Sequence, residues 1–489
     1  MLVFIFCSIL LLAPALQGVW DFRAQFVFEA AVFLTGGFWL LREIISGRPP
    51  AFLSDKRNIP LLCAAFFSLL SALLSPVRAL VMPEWWTFAA GLFILCLGSS
   101  LRVGELRLTD LALRISAWLI ALLSLYQAFI LKSPDISASL TNPNSLALFI
   151  LMLLPLAIKW KDLFLLGAFI IILVWTQSAA ALLALLTAAG FYAKDNMKTA
   201  ELRKNWRLLI VLTVVAALAV SQLELRSFFD RIGWWRAALG MFADRPALGF
   251  GPGSFAYVYP AYHSHGAAGV ATTYVHNYYL EFLAENGILA FIFWAWAAAF
   301  RLKTIRGLKK YALIAAMVHS VVDFGLAVPA NFLIFCYLLS DPRLPEADAP
   351  PVRTGNKTPF ILGGLALACF AVICGVFSSQ LKLERLRFRA LSDLYAGDYP
   401  RAEAALKEAA RIAPDNPIVP GMLGQIRMRA GFAGKDRDLL FSAAVELERA
   451  LILNPYNAAA WRDLERLYAD AGERTLLEGL RKRKGRVFK

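Results

Sequence analysis

Charged residues are scarce in this 489-residue chain: Asp, Glu, Lys and Arg together make up 17% of it, against roughly 25% in soluble domains. Hydrophobic residues make up 59%, and the mean hydropathy is +0.59. This balance excludes an ordinary soluble protein. It indicates a polytopic membrane protein to which a soluble part is attached.

Cysteine and histidine are also sparse. All six cysteines (Cys7, Cys63, Cys96, Cys336, Cys369 and Cys374) lie within apolar runs, and none forms a Cys-x-x-Cys pair. We therefore expect neither a disulfide framework nor a cysteine-based metal site. The chain has no His-Glu-x-x-His motif and no phosphate-binding loop of the Gly-x4-Gly-Lys-Ser/Thr type. The predicted outward loops hold too few aspartates for a metal-dependent site, so we expect no metal and no cofactor.

Negative charge is in deficit, because 50 Lys and Arg face 35 Asp and Glu, for a formal net charge of +15. An excess of this kind sometimes marks nucleic-acid binding. Here most of the basic residues fall in short loops between apolar runs, where they set orientation and meet anionic lipid headgroups. We therefore expect a membrane and no nucleic acid among the partners.

Long apolar runs are abundant, and a spanning helix needs roughly 20 mostly apolar residues. The first run lacks a basic segment before it and a second run follows closely, so we predict a membrane helix there and not a signal peptide. The run 162–193 is too long for one span and is predicted to fold back at Gln177 and Ser178. The thirteen candidates lie near 2–17, 24–41, 59–77, 84–100, 109–131, 144–158, 162–176, 178–193, 208–224, 277–299, 311–326, 328–340 and 359–380.

Basic residues alternate between the connections. They concentrate in every second connection, whereas the intervening short ones carry only Arg23, Arg78 and Lys132. By the positive-inside rule the basic connections are cytoplasmic. The N-terminus is then inside, and both the long loop 226–276 and the C-terminus are predicted to face outward. The segment 341–358, rich in Pro and polar residues, is predicted to be a loop before the last span.

From Lys382 onward the composition becomes that of a soluble helical domain, so we divide the chain into a membrane domain, 1–380, and a helical-repeat domain, 381–489. The stretches 405–417 and 448–461 repeat loosely, as expected for a unit of about 34 residues with an insertion, predicted at 431–438. The tail resembles tetratricopeptide repeats at Leu406, Ala409 and Pro414, and again at Ala450, Leu453, Pro455, Asn457, Ala460 and Trp461. This implies a surface for a protein partner; the alternative is that the repeats only pack on the membrane domain.

The longest polar interruption among the apolar runs, Asp230 to Gly287, gathers the candidate chemistry. Its first part predicts an amphipathic helix at the membrane surface with Arg231, Trp234 and Trp235 on one face and Arg236 next to them. Tryptophans anchor such helices at the headgroup level, and arginines reach lipid phosphates. The alternative is an ordinary interfacial helix whose arginines extend to the headgroups.

A glycine-rich turn follows, with Arg245 before it and Gly249, Gly251 and Gly253 within it. Successive glycines let backbone amides approach an anion closely. A tight turn without a ligand is the equally open alternative. The turn does not open a strand–helix unit, so it is not a nucleotide-binding fingerprint.

His276 and Asn277 lie where this loop meets the next span. An imidazole can take a proton from an alcohol near neutral pH. Asn277, Glu281 and Glu285 share one helical face, and acidic residues within a span suggest function. His319 and Asp323, four residues apart near the outer end of the following span, are predicted to form a second polar pair facing the site. For either set the alternative is a structural hydrogen bond between helices.

Such a set favours cationic chemistry: arginines neutralise a diphosphate leaving group while His276 activates an incoming hydroxyl. We predict His276 and Arg231 as catalytic residues. The substrate-binding residues predicted beside them are Arg236, Arg245, Gly251, Gly253, Asn277, Glu281, His319 and Asp323. A transporter is disfavoured, because the polar residues concentrate at one face and the membrane part shows no internal repeat.

The loop resembles the O-antigen ligase and polymerase superfamily over roughly residues 60–340. The stretches that carry the resemblance are DRPALGFGPGSF, VHNYYLEFLAENGI, LTNPNSLALFILMLLPLAI at 140–158 and HSVVDFGLAVP at 319–329. The resemblance implies an all-α GT-C-type fold of 12–13 membrane helices in the bacterial inner membrane. It also implies metal-independent, inverting transfer of a glycan from undecaprenyl diphosphate to a periplasmic acceptor, which is a lipid, a glycan or a protein.

Within this resemblance His276 matches the histidine proposed to activate the acceptor. Arg231 matches an arginine before the tryptophan and is the best diphosphate ligand, with Arg236 and Arg245 as second choices. Family members often read Ser-Arg-Gly-Ala after the seventh span, where this chain has Gln177 to Ala180. The missing arginine leaves one cation fewer for the diphosphate, so that another arginine substitutes, the substrate differs, or the activity is weak or lost. Two other readings stay open beside the ligase or polymerase. One is a non-catalytic membrane scaffold that binds partners through its repeats, and the other is a protein O-oligosaccharyltransferase of the same superfamily.

Overall fold

The computed structural model describes residues 2–19, 21–45, 56–196, 225–263, 272–341 and 358–488, and the regular structure within these ranges is helical. Nineteen α-helices fall in them. They are α1 (Leu2–Ala15), α2 (Phe22–Ile45), α3 (Ile59–Leu73), α4 (Arg78–Ser99), α5 (Val103–Phe129), α6 (Pro143–Lys159), α7 (Leu163–Trp175), α8 (Ala179–Asn196), α9 (Leu225–Asp244), α10 (Phe255–Val258), α11 (Tyr278–Thr304), α12 (Leu308–His319), α13 (Pro329–Leu339), α14 (Thr358–Tyr395), α15 (Tyr399–Ile412), α16 (Ile418–Gly434), α17 (Arg437–Leu453), α18 (Ala458–Asp470) and α19 (Arg474–Val487).

The all-α polytopic membrane fold expected from composition is confirmed. Within the described ranges, four helices, α2, α4, α5 and α11, are long and apolar enough to cross a membrane, and α1, α3, α6, α7 and α13 are shorter apolar helices. Twelve of the thirteen predicted segments coincide with helices. The segment 208–224 and nearly all of the predicted loop 341–358 lie outside the described residues, so the number of spans stays a prediction. The reversal predicted at Gln177 and Ser178 is confirmed, because α7 ends at Trp175 and α8 begins at Ala179.

The connections with few basic residues meet at one end of the bundle, which we call the loop end. Gly18, between α1 and α2, lies against the side chains of Leu140 and Val328. The hydroxyl of Ser139 donates to the carbonyl of Pro14 at 2.6 Å. Three connections that are distant in sequence, those after α1, α5 and α12, therefore pack together.

The basic connections meet at the opposite end. Arg301 at the end of α11 donates to the carbonyl of Leu339 at 3.2 Å and to the side chain of Asn58 at 2.5 Å. Lys309 donates to the carbonyl of Ser340 at 2.6 Å. The helices thus alternate in direction as the charge pattern predicts, and the side of the membrane that each end faces stays a prediction.

The helix α11 is interrupted at Gly287, whose φ of +72° and ψ of 176° lie in a region open essentially to glycine alone. The segment between α9 and α10 lies against this break. The amide of Ile288 donates to the carbonyl of Pro246 at 2.9 Å, and the amide of Gly251 donates to the carbonyl of Glu285 at 2.7 Å. Irregular backbone at membrane depth persists only where protein groups satisfy it, so the break fixes the glycine-rich turn against α11.

We expect Gly287→Ala to lower the thermal unfolding midpoint of the full chain in detergent. The backbone strain costs about 1–3 kcal/mol, and the added Cβ would overlap the carbonyl of Ala247. The matched control is Gly233→Ala in α9, a glycine with no neighbouring atom within 4 Å of the added carbon, which should leave the midpoint unchanged or raise it slightly. Equal midpoints for the two variants would contradict this account of the break.

The helix α14 runs from the membrane domain into the tail without interruption. Phe377 packs its ring against Phe26 and Phe33 of α2, with centroids 5.8 Å and 6.2 Å apart. The domain boundary predicted at 380/381 therefore falls inside one helix. The helices α15 to α19 follow as antiparallel neighbours with their own apolar clusters, and their assignment to tetratricopeptide repeats stays a prediction.

The tail lies on the glycine-rich turn. The ring of Tyr456, before α18, is 6.0 Å from that of Phe250, and Ile418 at the start of α16 packs on the same apolar cluster. The repeats thus contact the membrane domain at the loop end, on the side where the sequence predicts the outward loop.

Candidate active site

The helix α9 places Arg231 and Trp234 one turn apart at the loop end. The Trp234 side chain is only 8% exposed. Its ring stacks on the imidazole of His276, with centroids 4.8 Å apart and planes 26° from parallel. The prediction that Trp234 anchors the helix at the lipid headgroups is therefore wrong, because the indole is buried against the candidate base.

His276 has a left-handed backbone, with φ at +55°. That conformation is uncommon outside glycine and, where it persists, is concentrated at functional sites. The flanking residues hold it: the amide of Val275 donates to Glu281 at 2.8 Å, and the amide of Tyr278 donates to the carbonyl of Ser320 at 3.0 Å. The His276 side chain therefore does not follow the helical spacing of α11.

Asn277 and Glu281, both predicted to bind substrate, have their oxygens engaged by backbone. The Asn277 side chain caps α11 by accepting from the amides of Tyr279 and Leu280 at 3.1 Å and 3.0 Å. Such a cap satisfies amides that the first turn leaves unpaired. Together with the bond from Val275 to Glu281, it gives both residues a positioning role around His276.

Asp323 gathers the candidate residues. It lies in the turn after α12, and its side chain is fully buried. Its Oδ2 atom is 3.6 Å from His276 Nδ1 and 4.0 Å from Arg231 Nη2. The carboxylate also accepts from Asn144 Nδ2 at 2.8 Å and from the amide of Phe324 at 2.9 Å. One buried carboxylate therefore joins four segments of the chain.

The charge of Asp323 is maintained by this setting. Burial by itself raises the pKa of a carboxyl group, but the neighbouring His276, His319 and Arg231 side chains outweigh it and hold the pKa of Asp323 below its ordinary value. A carboxylate with a lowered pKa contributes stability that is present above its unfolded-state pKa and is lost as the pH falls through the lowered value. At neutral pH the site therefore holds a negative charge beneath His276 and Arg231.

His319 is also fully buried, and neither of its ring nitrogens has a hydrogen-bond partner in the described part of the chain. The spacing of four residues predicted that His319 pairs with Asp323 on one helical face. The structure ends α12 at His319, so Asp323 turns away from the helix toward His276. His319 makes no hydrogen bond to that carboxylate.

The other arginines lie elsewhere. Arg236 is exposed on α9. Arg245 follows the end of that helix, about 20 Å along its axis from Arg231. It donates to the carbonyl of Leu74 at 3.1 Å and lies over the ring of Phe250. The structure thus groups only Arg231 with His276, and the substrate-binding predictions for Arg236 and Arg245 gain no support from its geometry.

The glycine-rich turn binds a carboxylate of the protein itself. The amides of Gly253 and Phe255 donate to Glu285 at 2.8 Å and 2.9 Å, and the amide of Gly251 donates to the Glu285 carbonyl. Successive amides do form an anion-binding turn there, as the sequence suggested, but Glu285 fills it. We therefore assign Gly251 and Gly253 a structural role in place of phosphate binding.

Sequence reasoning missed two residues of the site. Asn144, in the first turn of α6, donates to Asp323, and Phe324 meets the imidazole edge to face at 4.7 Å. The signal for Asn144 was its place in a Pro-Asn start of a span at the predicted outward end. Phe324 carried no signal, because a single aromatic residue beside a span reads as apolar packing.

A metal centre has no support in this geometry. Over the described ranges, no group of three His, Cys, Asp or Glu side chains lies close enough to hold a metal ion. Asp323 is engaged by an amide, an asparagine and two cationic or imidazole groups, which leaves it a poor ligand.

Residues 163–295 match the family model of the O-antigen ligase (Wzy_C). The matched region runs from α7 into α11 and includes Arg231 and His276, whereas Asn144 and Asp323 lie outside it. None of the curated proteins matches the chain. The match supports an integral membrane protein with O-antigen ligase- or polymerase-type glycan transfer at the level of the family.

Proposed function

We propose that the chain transfers a glycan from undecaprenyl diphosphate to a hydroxyl group of a periplasmic acceptor. The observation that carries the proposal is the convergence of His276 and Arg231 on buried Asp323. These residues come from α9, the loop before α11 and the turn after α12. A base, a cation and a carboxylate that orients both, beside a region that matches the O-antigen ligase model, form a working set for group transfer from a diphosphate.

The proposed reaction forms one bond and breaks another at the same carbon. The acceptor hydroxyl oxygen attacks the anomeric carbon of the lipid-linked sugar, and the bond from that carbon to the diphosphate oxygen breaks. The hydroxyl proton passes to Nε2 of His276, because Nδ1 faces Asp323. The configuration inverts, and undecaprenyl diphosphate leaves with its negative charge.

Arg231 is suited to meet that charge. Its side chain is 21% exposed, and its buried Nε atom has no hydrogen-bond partner among the residues described. Its Nη2 atom lies 4.0 Å from Oδ2 of Asp323, which is beyond hydrogen-bonding distance. The guanidinium therefore keeps donors for phosphate oxygens, which arginine binds in pairs.

Ala179 occupies the position at which family members often carry a further arginine. This position lies at the same end of the bundle as Arg231. Ala179 begins α8, which packs against α6 and α12, the helices that lead to Asn144 and Asp323. With no cation there, Arg231 is the single described arginine within reach of Asp323. We therefore expect transfer to depend on Arg231 more steeply than in a site that shares the diphosphate between two arginines.

The test is complementation of a strain that lacks the gene, with undecaprenyl-linked glycan measured by mass spectrometry. Arg231→Ala should accumulate the donor as the deletion does, with transfer lowered about 10²–10³-fold, the usual cost of removing one transition-state donor. Arg231→Lys should recover part of the activity, since lysine supplies charge without the paired donors.

Arg236→Ala is the matched control, because Arg236 is an exposed arginine on the same helix and its loss should leave transfer intact. Membrane levels of each variant are compared by immunoblot. Full transfer by Arg231→Ala at a normal protein level would refute the proposal and favour a non-catalytic scaffold.

A further inference from the structure

A cavity of about 270 Å³ lies beside the site, between α4, α11 and the glycine-rich turn. Tyr274 forms part of its wall and stacks on Phe324 at 4.4 Å. Phe324 also contacts the imidazole of His276, with ring centroids 4.7 Å apart. The cavity and the candidate base are therefore neighbours, separated by one phenyl ring.

The lining of the cavity has acidic side chains. Among the described residues, Glu84, Glu281 and Glu285 contribute to it, and no Lys, Arg or His does. Backbone amides engage Glu281 and Glu285, whereas the Glu84 side chain has no hydrogen-bond partner in the described ranges. A carboxylate without a partner in such a place is costly and suggests a functional role.

The path of the turn makes room for Glu84. Gly253 has φ at +71°, and a Cβ on it would overlap the Cγ atom of Glu84. The glycine therefore lets the glutamate side chain pass over the turn toward the cavity. Tyr257 and Tyr278 line the same space, so the carboxylate and the aromatic rings face a shared volume.

We propose that this cavity binds one sugar ring that carries no negative charge, either neutral or amino-bearing, from the glycan or its acceptor. Hydroxyl or ammonium groups donate to the Glu84 carboxylate, which accepts at two oxygens. The tyrosine rings pack on the apolar face of the sugar. The volume lies below the range of about 300–1,000 Å³ typical of drug-sized ligands and suits a single ring.

The same lining excludes an acidic sugar. A carboxylate or phosphate in this cavity would be buried with no cation among the described lining residues to compensate it. The cavity thus selects the class of sugar that can lie beside His276. The assignment of this ligand to the transferred or receiving glycan rests on the proposed function.

The experiment measures saturation-transfer NMR signals of three probes, methyl glucoside, methyl glucosaminide and methyl glucuronide, on the full chain in nanodiscs without donor. We expect binding of the first two, with the glucuronide about tenfold weaker or more, because its carboxylate would be buried without a compensating cation. Glu84→Lys places a cation in a lining whose described residues include none. This variant should bring the affinity for the glucuronide to within about threefold of the affinity for the glucoside. A misfolded protein cannot mimic that change.

A second variant, Ala256→Phe, fills the cavity from its wall and should abolish all three signals, whereas Ala243→Phe at an exposed position of α9 should keep them. Equal binding of glucuronide and glucoside by the unmodified chain would overturn the proposal, and so would signals that survive Ala256→Phe. If the chain transfers glycan through Arg231 but binds no probe, only the sugar site fails. If probes bind as expected while Arg231→Ala transfers normally, only the transferase proposal fails.

Discussion

Replacing His276 with asparagine is expected to lower glycan transfer about 10²–10⁴-fold, the contribution typical of a positioned general base. Asparagine tolerates the left-handed backbone at this position better than alanine does. The variant therefore removes the proton acceptor while it keeps the φ of +55°. The measurement is the rate at which the purified chain releases undecaprenyl diphosphate from a lipid-linked donor in the presence of acceptor membranes.

The comparison variant is His263→Ala, which removes another half-buried histidine of the same loop. Its Nδ1 atom bonds the hydroxyl of Tyr259 at 2.8 Å, away from Asp323, so transfer should stay within about twofold of the unmodified rate. A His276→Asn protein that transfers at the normal rate would show that the acceptor loses its proton elsewhere. The imidazole stacked on Trp234 would then have only a structural role.

Asp323→Asn is expected to have the second-largest effect. The amide preserves shape but removes the charge that orients His276 and balances Arg231, and we expect transfer to fall about 10²-fold or more. Removing one partner from a buried charge cluster also destabilises a protein by about 3–5 kcal/mol. Both the transfer rate and the thermal unfolding midpoint in detergent should therefore drop.

A transfer rate that is measured below the unfolding transition and normalised to the amount of folded protein separates the loss of catalysis from the loss of stability. Asp244→Asn serves as the comparison, because Asp244 is an exposed aspartate at the end of α9 that accepts from the hydroxyl of Tyr262 at 2.5 Å. It should leave the normalised rate unchanged. If Asp323→Asn lowers stability alone, the carboxylate is a structural link between helices and the assignment of His276 as base loses its main support.

The candidate site was only partly readable from the sequence. His276 and Arg231 were found because polar residues at the border of a span are conspicuous against an apolar background. Asp323 was found too, but with the wrong partner, because the i, i+4 rule paired it with His319. The helix α12 ends at His319, and the turn that follows points Asp323 at His276 instead.

The glycine-rich turn shows a second limit of local reasoning. Its amides were predicted to bind an anion, but they bind the carboxyl group of Glu285 of the same chain. A motif shows what its backbone can bind and not what lies beside it. That neighbour depends on the break in α11 at Gly287, which only the packing of α9, α10 and α11 reveals.

Composition and hydropathy by themselves determined that the protein is an all-α membrane protein. They also determined where most of its helices lie and how the helices alternate in direction. These features depend on residues that are neighbours in the chain, because a spanning helix is one apolar run and the charge of each loop lies between two such runs. The tertiary structure alone decided which side chains meet. Asn144, Arg231, His276 and Asp323 come from four separate segments, and their convergence follows from how the helices pack. No periodicity within one segment encodes a contact between segments more than a hundred residues apart, such as that of Asn144 with Asp323.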